Sequence, residues 1–191
     1  MPPLDVPCTC ATSGTHGKRY RRSVPTLIGL LRAVNVGGTG KLPMSDLRAL
    51  CANLGFTDVT TYIQSGNVVF RTRLSPAKAR AALEKALTER LGKPATVLLR
   101  TREELADVER ANPWPDAAPN QVLVLFLDVA PPKGALADVK PPGGERLTLV
   151  GRELFIHFPN GMGASKLKVP FADVGTGRNL NTVRKLLALS A

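Results

Sequence analysis

Residues 59–70 read VTTYIQSGNVVF: two strand-forming runs, Val59 to Ile63 and Val68 to Arg71, joined through Gln64-Ser65-Gly66-Asn67. Ser, Gly and Asn favour turns for backbone reasons, so the stretch reads as a hairpin. Helical patterns flank it on both sides. Before it, Met44, Leu47, Cys51 and Leu54 recur at spacings of three and four, with Pro43 suited to the first turn and Gly55 as the stop. After it, Ser75-Pro76 opens a second helix with Ala79, Leu83, Ala86, Leu87 and Leu91 facing inward, and Gly92 ends it. Further out lie two apolar strands, Thr26 to Val36, with Arg32 and Asn35 as its polar members, and Ala95 to Leu99. The order is β-α-β-β-α-β, the split βαβ or ferredoxin-like arrangement.

The second half repeats this theme more loosely. Thr101 with Glu104 makes a capping box for a helix carrying Leu105 and Val108, broken at Asn112-Pro113-Trp114-Pro115. Gln121 to Asp128 is an apolar strand. Pro131-Pro132 and Pro141-Pro142-Gly143-Gly144 bracket a short helix, and Arg146 to Val150 with Glu153 to Phe158 form a hairpin around Gly151-Arg152. Two glycine loops follow, then a closing helix from about Asn179 to Leu189. The expectation is an α+β chain of two ferredoxin-like subdomains packed together, residues 25–100 and 101–191.

The chain has 191 residues, 43% hydrophobic and 21% charged, the mix of a globular protein with a real core. No run of 18 apolar residues exists to cross a membrane, no secretory pattern opens the sequence, and three cysteines suggest no disulfide framework. A reduced cytoplasm is the expected location. Residues 1–24 lack hydrophobic periodicity and read as a disordered tail. Order begins abruptly at Pro25-Thr26-Leu27-Ile28, which suggests Val24 as the true initiator; peptides from residues 1–23 in protein made from its native locus would exclude that. Cys8, Cys10 and His16 offer only three metal ligands in this tail, where structural zinc sites usually bring four. No metal and no cofactor is expected. Lysine and arginine outnumber acids 26 to 15, for a net charge of +11; the first 24 residues hold +3 of it and the remainder +8. That surplus favours phosphate-bearing or other anionic partners and says nothing of fold.

Four stretches combine glycine with polar side chains. Arg32 to Lys41 runs from strand through Gly37-Gly38-Thr39-Gly40 toward a helix, so its amides could cradle a phosphate. It is neither a P-loop, since Asn35 and Leu42 occupy required positions, nor a dinucleotide fingerprint, since Pro43 replaces the last glycine. The others are Gln64 to Asn67, Gly161 to Lys166 and Gly175 to Asn179. In the last, Thr176 or Asn179 would cap the closing helix, while Arg178 could fork onto a carboxylate or phosphate. The candidate ligand-binding residues are Arg32, Asn35, Gly37, Gly38, Lys41, Ser65, Asn67, Ser165, Lys166, Arg178 and Asn179. Against them stand bland readings: tight turns, caps and a solubilising charge.

These runs carry a family resemblance. Leu30 to Gly38, Pro43-Met44, Leu47-Arg48, Gly55-Phe56, Thr61 to Phe70, Ser165-Lys166-Leu167 and Thr176 to Val183 resemble the signatures of the DUF1697 family of bacterial proteins over residues 26–191. Gly177 stands where that family's Ala is expected, and Leu180 where its Trp is, so no aromatic contact is implied at the closing helix. The resemblance implies two ferredoxin-like subdomains and a set of recurrent residues, and no mechanism.

Proton-transfer and nucleophilic groups are scarce. The four stretches hold no Asp, Glu, His or Cys; His157 alternates with Phe155 on a strand and reads as packed, and Cys51 sits on an apolar stripe. Asp46, Glu84 and Glu104 fall on helix faces or caps, and no catalytic residue is assigned. Ser65 or Ser165 would need Lys166 beside it to act as a nucleophile. Nine aromatic residues are few for a protein that stacks bases, although nucleic acid remains an open partner for a basic surface. The reading favoured is a small phosphate- or carboxylate-bearing ligand bound between subdomains. The alternatives are nucleic-acid binding, an enzyme acting on a phosphorylated substrate, and a protein-interaction module. Oligomeric state is not legible.

Overall fold

The computed structural model describes residues 24–32, 34, 42–169 and 171–191. The tail through residue 23, with Cys8, Cys10 and His16, lies outside the described residues, as do Asn35, Gly37, Gly38 and Lys41 of the first glycine stretch.

The first half follows the expected order: β1 (Thr26–Leu31), α1 (Met44–Asn53), β2 (Thr57–Tyr62), β3 (Asn67–Arg71), α2 (Pro76–Leu91) and β4 (Val97–Thr101). The strands form an antiparallel sheet in the order β2-β3-β1-β4. Ser75 caps α2 by accepting from the Lys78 amide at 3.4 Å, and Gly92, at φ 67°, closes it in the left-handed region favoured by glycine. From Leu27 to Leu31 the central strand β1 carries no polar side chain, in keeping with the burial of both its faces. Leu27 and Leu31 pack with Leu47, Cys51, Leu83 and Leu87 beneath the helices, while Ile28 and Leu30 point the other way.

That other way is the second half: α3 (Arg102–Arg110), β5 (Val122–Phe126), β6 (Arg146–Val150), β7 (Glu153–His157), β8 (Thr176–Asn179) and α4 (Leu180–Leu189). Its antiparallel sheet has the order β6-β7-β5-β8, the same arrangement as the first. Ile28, Leu30 and Leu98 share one core with Val122, Val124, Phe126 and Phe155, completed by Leu105, Val108, Val183 and Leu186 of α3 and α4. The described residues thus form an α+β fold with two ferredoxin-like sheets and four α-helices.

Two expectations for this half fail. The segment between the proline pairs is a set of turns, closed by bonds such as Ala137 N to Gly134 O at 2.8 Å, and not a helix. Gly134, at φ 82°, takes the left-handed conformation inside the stretch and interrupts any right-handed helix there. The last glycine stretch is strand, not loop. A Cβ on Gly175 would stand 2.7 Å from Leu125 Cδ1 and 2.8 Å from Leu127 Cδ2, so this glycine serves close approach to β5 and not turning. Irregular connections cover the outer face of the second sheet, where Leu136, Met162, Leu167 and Phe171 pack against Leu125, Leu154 and Ile156.

The two halves correspond residue by residue along these strands. Arg100 on β4 lies opposite Ile28 on β1, and Arg178 on β8 lies opposite Val124 on β5. Asn67 begins β3 opposite Leu30, and Glu153 begins β7 opposite Phe126. The next residue after each arginine is a helix cap: Thr101 completes its capping box with Glu104 on α3, and Asn179 accepts from the Thr182 amide on α4.

Candidate functional site

Arg178 crosses from the second half to the first. Its side chain is 7% exposed and makes six hydrogen bonds. Nε donates to Asn67 Oδ1 at 2.5 Å, and Nη1 to Thr176 Oγ1 at 2.8 Å and Gly177 O at 2.7 Å. Nη2 donates to the carbonyls of Leu31 (2.9 Å), Ser65 (2.9 Å) and Gly66 (3.3 Å). None of these acceptors is a carboxylate. Burial pushes the guanidinium pKa down to about 10, so it remains a cation at neutral pH, and the ring of acceptors favours that charged form.

The turn beneath it is held just as firmly. Asn67 Nδ2 donates to Tyr62 O and to Ser65 Oγ, each at 3.0 Å, and the Leu31 amide donates to Gly66 O at 2.9 Å. Gly66 has φ 77°, and a Cβ there would stand 2.9 Å from Leu31 Cβ, so both conformation and space require glycine.

Beside this network opens a cleft of about 610 Å³. Leu31, Arg32, Gln64 and Ser65 line it from the first half, and Asp173, Gly175, Thr176 and Arg178 from the second. The Arg32 guanidinium donates to the main-chain oxygen of Asp173, bridging the halves a second time. Among the described residues, no ion pair joins the Asp173 carboxylate to either arginine.

Arg100 makes the reciprocal crossing. It is 1% exposed; Nη1 donates to the preceding carbonyl, Leu99 O, at 2.9 Å, as Arg178 does to Gly177. Nη2 donates to Leu127 O at 2.8 Å, the counterpart of Leu31 O. Where Arg178 meets Asn67, Arg100 meets a carboxylate: Glu153 Oε1 accepts from Nε at 3.0 Å and from Nη2 at 2.8 Å. Arg152 joins this cluster by donating to Glu104 Oε1 at 2.6 Å.

The family described as "Protein of unknown function (DUF1697)" matches residues 24–155. The chain belongs to the DUF1697 family. A solved structure described as the conserved bacterial protein SP0830 from Streptococcus pneumoniae shares the fold: 24% identity, 88% of this chain and 100% of that one, TM-score 0.72. No curated protein matches. The family match ends at residue 155, short of residue 191 where the resemblance of the motifs ends, so the Ser165 and Arg178 stretches lie beyond it.

Of the site residues expected in this DUF1697 chain, the fold brings Arg32, Ser65, Asn67 and Arg178 together and leaves others apart. The Ser165 hydroxyl donates to Glu145 and accepts from the Leu167 amide at 3.1 Å, a local latch in the second half. Hydrogen bonding from Ser165 holds the Glu145 carboxyl below its usual pKa range. Lys166 is exposed and outside the cleft lining, and Asn179 is the α4 cap. Arg178 spends its donors on protein acceptors and is no free fork. Asp173 and the Arg100–Glu153 pair were missed; the faint signal for the pair is that Arg100-Thr101 and Arg178-Asn179 both set an arginine just before a cap.

Other groups behave as inert parts. Cys51 is fully buried and its thiol pKa is pushed up to about 12 by burial. His157 is packed: its Nδ1 lies 3.3 Å from Arg146 Nη2, and its ring centroid 5.6 Å from that of Trp114. Asp46 pairs with Arg90 at 2.6 Å, and Glu84 with Arg80 at 3.0 Å. Among the described residues, no three His, Cys, Asp or Glu side chains gather to hold a metal ion, and no helix is long and apolar enough to cross a membrane.

Proposed function

We propose that this DUF1697 protein binds a small phosphate- or carboxylate-bearing molecule in the cleft between its two halves. One observation carries the reading: the buried Arg178 cation has Asn67 where its counterpart Arg100 has Glu153. A guanidinium shielded from water and, among the described residues, without a counter-ion acts strongly on charge brought near it. Arg178 supplies field and rigidity. Contact with the ligand falls to Arg32, which uses one N–H on Asp173 O, and to the Ser65 hydroxyl, which accepts from Asn67 and keeps its own proton to donate. The volume of the cleft suits a metabolite-sized ligand.

Thermal unfolding with inorganic phosphate and small di- and tricarboxylates, at constant ionic strength, tests this. A saturable rise in Tm is expected for the intact protein through mass action, and loss of that rise in Arg32→Gln. No response to any anion at millimolar concentration, or an undiminished response in Arg32→Gln, would sink the reading.

A further inference from the structure

The hairpin turn that carries Ser65 and Asn67 also holds a residue the bonding network does not need. Ile63 has φ 49°, in the left-handed region that β-branched residues avoid, and its side chain is 49% exposed. Asn67 Nδ2 on Tyr62 O, with Arg178 Nη2 on Ser65 O and Gly66 O, fixes the turn on either side of it. Glycine or asparagine would take this conformation more easily. An isoleucine there strains the backbone and leaves about half of an apolar residue in water. Strain of this kind, held in place by the surrounding structure, gathers at ligand clamps.

A second exposed apolar residue flanks the lining on the other side, and like Ile63 it stands next to lining residues and not among them. Val174 is 60% exposed and sits in sequence between two residues of the lining, Asp173 and Gly175, as Ile63 immediately precedes Gln64 of the first wall. Of the five exposed large apolar residues among the described ones, the other three, Leu74, Val129 and Val150, have no such neighbour in the lining. The volume points the same way: a bare phosphate or carboxylate fills only a small part of about 610 Å³, a size that ordinarily houses a larger organic molecule.

Resting on the anion-binding reading, we infer that the ligand is an amphipathic anion, an aryl or branched-alkyl phosphate or carboxylate, whose apolar part packs against Ile63 and Val174 while its charged end faces Arg32. Ile63 is then a specificity residue, strained in the free protein and useful only in the complex.

The test uses the full chain and four probes, inorganic phosphate with phenyl phosphate and acetate with benzoate, followed by thermal shift and calorimetry. In the intact protein the aryl member of each pair is expected to bind about tenfold more tightly than its bare counterpart. Ile63→Asn is expected to raise the ligand-free Tm by about 2–4 °C as strain is relieved, to erase the aryl preference, and to leave the affinity for inorganic phosphate unchanged. Val174→Ser, which leaves the turn untouched, is expected to reduce the preference as well. If phosphate and phenyl phosphate bind equally, or if the preference survives in both variants, the amphipathic ligand is overturned while anion binding stands. If none of the four probes binds, the anion-binding reading falls and this inference with it.

Discussion

In one clasp between the halves Arg100 meets Glu153, and in the other Arg178 meets Asn67, at equivalent places in two sheets of the same order. Both arginines donate to the preceding carbonyl and to a carbonyl just past or at the end of the other half's central strand. The shared geometry is therefore architectural: each half sends a cation across to hold the other. What differs is charge. The Arg100 clasp is closed electrically by Glu153 and reinforced by the Arg152–Glu104 pair, and burial lowers the Arg100 pKa against the opposing effect of Glu153. The Arg178 clasp is satisfied in hydrogen bonds and unsatisfied in charge. A cation can have every N–H paired and still lack a counter-ion, and only the second deficit invites a ligand.

The comparison can be broken most severely at Arg178. Arg178→Ala removes all six hydrogen bonds of the guanidinium, including those to Ser65 O and Asn67 Oδ1, while Gly66 O keeps the Leu31 amide and Leu31 O the Thr176 hydroxyl; it is expected to cost about 4 kcal/mol in urea unfolding. A cost below about 1 kcal/mol would mean that the clasp holds nothing. Glu153→Gln keeps the shape of the other clasp and removes its charge, for an expected loss of about 3 kcal/mol. It converts Arg100 to the electrical condition of Arg178, so phosphate should then stabilise the variant more than the parent.

Asn67→Asp makes the converse change. The ion pair it gains offsets the Nδ2 bonds it loses, leaving stability within about 1 kcal/mol, and the phosphate-induced Tm shift should vanish. A retained shift would show that the missing carboxylate is not what draws anions to the cleft. The caps sharpen the equivalence further. Thr101→Ala and Asn179→Ala should each cost about 1 kcal/mol; strongly unequal losses would argue against matched roles for α3 and α4.

The smallest effect lies away from both clasps. Burial, with the nearby Arg146 cation second, lowers the His157 pKa below its ordinary value. The unfolded chain therefore takes up the proton first as pH falls, and stability declines as pH drops from neutrality through about 6.5 and below. His157→Gln should flatten that slope in urea midpoints measured between pH 7.5 and 5.

The first sheet was legible because its signals are local: stripes at helical spacing, Ser75-Pro76 and Gly92 at the ends of α2, and a turn with Ser, Gly and Asn. The Thr101–Glu104 box and the Asn179 cap were readable for the same reason. Gly175 and Gly177 misled because glycine used for close approach to Leu125 and Leu123 looks, in sequence, like glycine used for bending. The site was half legible. Residue chemistry picked out Arg32, Ser65, Asn67 and Arg178, but the partners of Arg178 in the first half lie 111 to 147 positions away, and no local pattern reveals that its donors are already spent. Ser165 and Lys166 were grouped with them by composition, whereas Glu145 holds Ser165 elsewhere.

The reciprocal crossing of Arg100 and Arg178 has the form of an isologous contact between two identical subunits, in which each copy offers the other the same groups. In a true two-fold dimer, any substitution strikes both contacts at once, so a carboxylate could not be lost from one and kept in the other. Carried on a single polypeptide, the two positions are independent. One can remain a permanent fastening while its twin is left with a charge to share.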